Sequence, residues 1–300
     1  MEFLSYLISG ISLGSVYAII ALGYTMVYGI AKMLNFAHGD VIMVGGYISF
    51  CTTSYLELPG WVSVLLAMAV CTVLGVVIEG LAYRPLRQAT SLAVLITAIG
   101  VSYFLQNAAL LIWGASPKGF TPLIPAVNSK GEPNALRLFD GQLSVSYISL
   151  LTMAACIVIM VALTFFTGQT KLGKAMRACS EDKGAAQLMG INVNRTISVT
   201  FAIGSALAAI AGVLLCSFTT SLMPTTGSMP GIKAFTAAVF GGIGSIPGAF
   251  LGGILLGVIE SLAKAYISTQ LANAILFAVL IVVLLVRPSG LLGKYVPEKV

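Results

Sequence analysis

A 300-residue chain that is 58% hydrophobic and only 9% charged, with a mean hydropathy of +1.00, lies far from the roughly 25% charge of a soluble domain. The bilayer is its solvent, and long apolar runs without strand-like alternation predict an all-α polytopic transmembrane helical bundle, one domain over 1–300, and exclude a barrel. The net charge of +6 is no nucleic-acid stripe, because ten of the sixteen cations sit in three places: Arg84 and Arg87; Lys171, Lys174, Arg177, Lys183 and Arg195; and Arg287, Lys294 and Lys299.

Apolar runs that span or nearly span fall at about 4–30, 41–55, 61–81, 89–113, 145–167, 196–218, 231–243, 249–266 and 271–286. The first lacks a basic region before Leu4 and is expected to be retained as a span. Placing all three basic clusters inside satisfies the positive-inside rule with the third run entering and the fourth leaving. If the short second and seventh runs both cross, nine helices span and the N-terminus lies outside; if the second dips in and returns, eight span. Loop 114–144, rich in glycine and proline in its first half, is expected outside. Loop 168–195, with five cations and two acids, is expected in the cytoplasm.

The first run is followed by Asn35-Phe36-Ala37-His38-Gly39-Asp40 and then a short run, and Pro230-Gly231 opens another short run ending in 241–248. Such paired breaks point to a translocation path between two halves. Small residues four apart at Gly10, Gly14 and Ala18, and at Gly248, Gly252, Gly253 and Gly257, allow helix backbones to approach closely.

Enzyme chemistry finds no foothold. His38 is the only histidine, which excludes a multi-histidine metal site, and no Ser/His/Asp set assembles away from His38 and Asp40. The GxxxxGK[ST] phosphate loop is absent, so no cofactor is expected and any ATP is bound elsewhere. The five cysteines are scattered singly and read as small core residues. Of the acids in apolar sequence, Glu79 reads as an interfacial charge beside Arg84, Glu260 pairs with Lys264 at i, i+4, and Asp40 stands beside His38. Asn35, His38, Thr97, Gln106 and Asn107 are candidate path-lining groups. Within the 168–195 loop, Gly184, Ala185, Ala186 and Gly190 form a short helix of small residues closed by a glycine, suited to a groove on another protein.

The blocks LNFAHGD at 34–40, YRPLR at 83–87, GKAMRACSEDKGAAQLMGINV at 173–193 and RPSGLLG at 287–293 resemble the H-type permease subunits of bacterial branched-chain amino acid ABC importers, and the similarity runs end to end. The resemblance implies an inner-membrane importer with a second permease subunit, two cytoplasmic ATP-binding subunits and a periplasmic binding protein. It also implies that 184–190 is the loop through which the ATPases drive transport, with Gly184 standing where the family pattern usually has glutamate. Alternatives that share some features are a urea or short-amide ABC permease and an ion-coupled secondary carrier.

Overall fold

The computed structural model of the chain describes residues 2–127, 134–138 and 143–293. Lys294 and Lys299 of the tail cluster, and parts of the 114–144 loop, lie outside the described residues. The described chain is helical almost throughout: α1 (Glu2–Ala31), α2 (His38–Ser54), α3 (Gly60–Ile78) and α4 (Ser91–Trp113) precede β1 (Lys118–Gly119), β2 (Ala135–Leu138) and β3 (Leu143–Ser146). Then come α5 (Tyr147–Gln169), α6 (Lys171–Glu181), α7 (Lys183–Leu188), α8 (Val193–Thr219), β4 (Ser221–Leu222), α9 (Ser228–Gly241), α10 (Ile246–Tyr266) and α11 (Ala272–Val286). Helices α1, α3 with its extension to Leu86, α4, α5, α8 and α10 are each long and apolar enough to cross a membrane, and α11 is a shorter apolar helix. The protein is thus a predominantly helical, multi-pass membrane protein. The strands add only two small antiparallel pairs, β1 with β4 and β2 with β3.

Packing repeats between the two halves. Helix α1 lies along α10 and α3 along α8, while the short α2 sits between α3 and α8 and the short α9 between α10 and α1. Small residues permit both long contacts: a Cβ on Gly14 of α1 would sit 2.8 Å from the Ile254 Cα of α10, and one on Gly75 of α3 would sit 3.0 Å from the Phe201 carbonyl oxygen of α8. In lipid, where apolar burial gives helices little reason to associate, such close backbone approach is what holds them together. Gly45 of α2 meets α8 in the same way, 2.7 Å from the Ala209 Cα.

The ends of the helices fix which segments share a side. Ala31, closing α1, accepts a hydrogen bond from Lys183 Nζ at 2.9 Å, and Arg87, beyond α3, donates to Asn194 at the start of α8. At the other end of α1, Ser261 donates to the Tyr6 carbonyl at 2.8 Å and Tyr6 meets Tyr266 edge-on. Segment 290–293 folds back to α9, where the Leu291 and Leu292 amides donate to the Phe240 and Gly241 carbonyls, both at 2.9 Å. Carbonyls that a helix terminus would leave without partners are thereby satisfied.

Candidate functional site

The two breaks predicted from the sequence meet. After α1 the chain turns through Lys32, at φ 57°, and runs without helical structure to Ala37 before α2 begins. After α8 it turns through Thr220, at φ 50°, and β4 and a short turn lead to α9. The starts of the two short helices touch: a Cβ on Gly39 would lie 2.8 Å from the Gly227 carbonyl oxygen, and one on Gly231 would lie 2.9 Å from the Gly39 Cα. Only glycine permits that approach.

Around this crossing the structure gathers polar groups from four elements. Tyr83 donates to Asn35 Oδ1 at 2.8 Å. It reaches inward because α3 ends in a single π turn over Glu79–Tyr83, the kind of bulge that re-aims side chains. His38 is buried, its ring tilted against Tyr24 at 4.5 Å and its Nε2 pressed to Gly23, with no hydrogen-bond partner for that nitrogen among the described residues. Asp40, only 2% exposed, accepts from Gln106 Nε2 at 2.9 Å. The same nitrogen lies 3.3 Å from the Ser228 and Ser102 hydroxyls, so one α4 amide ties together the starts of α2 and α9. Ser228 was not singled out from the sequence. Its signal was its place one residue after Gly227, at the head of the second break.

The five candidate path residues divide accordingly. Asn35, His38 and Gln106 lie at the crossing. Thr97 is half-buried elsewhere on α4, and Asn107 is exposed, its amide turned back onto the Tyr103 carbonyl at 2.7 Å. A cavity of about 10 Å³ borders the crossing, lined by Tyr24, Asn35, His38 and Phe235 among others. That is room for about one water.

Two further buried carboxylates are clamped by cations. Glu260 accepts from Lys233 at 2.8 Å, Lys264 at 2.6 Å and Tyr17 at 2.9 Å, uniting α9, α10 and α1. The Lys264 pair follows from i, i+4 spacing; Lys233, 27 residues away, needed the fold. Glu79 is buried at the end of α3, where it pairs with Arg87 and accepts from Ser198 at 2.6 Å.

At the end of the molecule that carries Lys183, α7 is a well-terminated single helix. Asp182 caps it, accepting from the Gly184 and Ala185 amides at 2.7 and 3.0 Å. Gly190, at φ 80°, closes it, with Ile191 N–H donating back to the Ala186 carbonyl at 3.0 Å, the geometry of a Schellman ending. Ala186 faces the chain's own interior, 3% exposed, whereas Gly184, Ala185 and Gly190 are open to the outside. Beside them project Leu188 and Met189, 90% and 82% exposed. Burial, and then the neighbouring Arg87 and Lys32, push the Lys183 amine down from its ordinary range.

Comparisons with known proteins agree along the whole chain. A family model described as branched-chain amino acid transport system / permease component matches residues 6–284. The high-affinity branched-chain amino acid transport system permease protein LivH of Escherichia coli (strain K12) is 46% identical, covering 100% of this chain and 98% of that protein. The corresponding permease protein BraD of Pseudomonas aeruginosa is also 46% identical, with the same two coverages. A probable LivH of Methanocaldococcus jannaschii is 28% identical over 92% of this chain and 88% of its own. A family match over nearly the full length, joined to relatives at 46% identity from end to end, means that this chain belongs to the branched-chain amino acid transport permease family.

Proposed function

We propose that the chain is the membrane permease subunit of an ATP-driven, binding-protein-dependent importer of branched-chain amino acids in the bacterial inner membrane. The observation that carries this reading is the 46% identity to LivH and BraD over the full length of all three chains. A second permease subunit, two cytoplasmic ATP-binding subunits and a periplasmic binding protein complete the machine, and ATP is bound by those partners.

Nine crossings suit the packing. Ala31, Arg87 and Asn194 all gather at the Lys183 end. With 168–195 in the cytoplasm, α1 then runs from outside to inside. Segment 32–37 with α2 carries the chain back out, and the β4 segment with α9 brings it in again. The path runs along the crossing of α2 and α9, with Asn35, His38 and Gln106 joined by Asp40 and Ser228. Thr97 and Asn107 contribute where α4 faces the second permease. A mostly apolar path with a few amide and hydroxyl groups passes a zwitterion with an apolar tail without holding it tightly.

Force enters through α7. Leu188 and Met189 are large apolar side chains standing in a polar loop, and such exposure marks a contact with another protein. Gly184, Ala185 and Gly190 let that partner come close. Ala186 locks the helix to its own chain, and Lys183 passes its motion to the end of α1 next to the first break.

The test is reconstitution of the two permeases with the two ATP-binding subunits in proteoliposomes, with the binding protein added. ATP-dependent leucine uptake that requires the binding protein is expected. Uptake by the isolated chain under an imposed proton or sodium gradient would overturn the ATP-driven reading, and transport of urea without leucine would overturn the substrate.

A further inference from the structure

Between α6 and α8, on the side of the molecule that carries α7, lies an open groove of about 450 Å³. Lys171 and Arg195 stand at its rim, Leu172, Ala175, Ile191 and Val199 form its floor, and no acid lines it. Both cations are exposed, and neither has an ion-pair partner among the described residues.

Their placement runs against local helix electrostatics. Lys171 is the first residue of α6, directly after the Thr170 cap, and Arg195 lies in the first turn of α8, three residues after the Asn192 cap. A helix N-terminus carries partial positive charge and disfavours cations in its first turn. Two helices therefore aim their positive ends and a cation each at one groove, an arrangement complementary to an anion. The apolar floor asks for something besides charge. Below Arg195 the half-exposed residues of α8 continue as Val199, Ile203 and Ile210, an apolar stripe leading away from the charged rim. Lys171 follows the end of the membrane-crossing α5 and Arg195 opens the membrane-crossing α8, so the rim sits at headgroup level and the stripe at acyl-chain level.

We infer that this groove binds an anionic phospholipid, its phosphate between Lys171 and Arg195 and its acyl chain along Val199 and Ile203. Basic pockets between membrane helices favour such headgroups, with each cation worth roughly a fivefold gain in partitioning. The bound lipid would brace α6 against α8, the two helices that flank α7. The site does not depend on which solute is carried, so its failure would leave the transport reading standing.

The experiment uses the assembled complex in nanodiscs of phosphatidylcholine with phosphatidylglycerol, and lipid retained on purification is measured by mass spectrometry. Wild type is expected to retain phosphatidylglycerol. The double variant Lys171→Gln, Arg195→Gln should lose retention by about 25-fold, the product of two fivefold terms. A control with the same change of charge, Lys174→Gln, Arg177→Gln on α6 outside the groove, should retain it. Excess inorganic phosphate should not displace the lipid; displacement by phosphate alone would overturn the lipid assignment in favour of a simple anion site. Equal retention by both double variants would likewise overturn it.

Discussion

Replacing Gly39 by alanine tests the crossing of the two broken helices directly. The added methyl would lie 2.8 Å from the Gly227 carbonyl oxygen and 3.5 Å from its carbon. Ordinary carbon–oxygen contact is about 3.3–3.6 Å, so backbone must yield by roughly 0.5–0.8 Å, with no flexible side-chain tip to absorb the shift. Overpacking of this kind costs about 1–3 kcal/mol, and the helix preference of alanine over glycine returns up to about 1 kcal/mol. A net loss of about 1–2 kcal/mol should lower the thermal midpoint of the detergent-solubilised protein by about 2–8 °C, at ~2–4 °C per kcal/mol. Uptake should fall as well, because the start of α2 moves away from α9. Gly100→Ala on α4 is the control: nothing lies within 4 Å of its added methyl, so only the helix preference acts and stability should hold or rise. If Gly39→Ala raises the midpoint as Gly100→Ala does, the close contact of the half-helices is not a constraint and the reasoning fails.

Other outcomes follow from the same geometry. Asn35→Ala and His38→Ala should lower uptake with the complex still assembled, and His38→Gln should be milder than His38→Leu; normal transport by both alanine variants would reduce the segment to a turn. Leu188→Asp and Met189→Asp should abolish ATPase association while leaving the permease in the membrane, whereas Ala186→Glu should lower its folded level by placing a charge in its own interior; co-purification of unchanged ATPase with all three would count against α7 as the contact. Lys233→Met should destabilise by about 1–3 kcal/mol, less than a fully orphaned charge because Lys264 still faces Glu260; adding Glu260→Leu should restore part of the loss, and no recovery would argue that Lys233 matters by packing alone. Single cysteines at Gln187 and at Ser129, which lies outside the described residues, should react with an impermeant reagent from the cytoplasmic and external sides respectively, the sides expected from the charge distribution, in a background where the five native cysteines are replaced; the reverse pattern would invert the topology.

The sequence by itself determined what depends on local chemistry. Hydropathy demanded helices because lipid offers no partner for a free backbone group, and every predicted run became one, with 41–55 and 231–243 the short α2 and α9. Gly190 announced a helix end and takes the positive φ such an end uses. Glu260 and Lys264 announced their pair because i, i+4 spacing is a property of the helix alone. Tertiary structure decided the rest. Whether a helical residue faces its neighbours or the outside is set by which helices surround it, and sequence alone does not distinguish the faces: Ala186 turned inward, Asn107 outward, and Glu79, read as a charge beside Arg84, is buried with Arg87 and Ser198 as its partners. Lys233 reached Glu260 and Ser228 reached Gln106 across 27 and 122 residues, distances over which no periodicity carries information. The meeting of the two breaks at Gly39 and Gly227 belongs to the same class, since each glycine marks a place where something approaches closely but only the fold names what does.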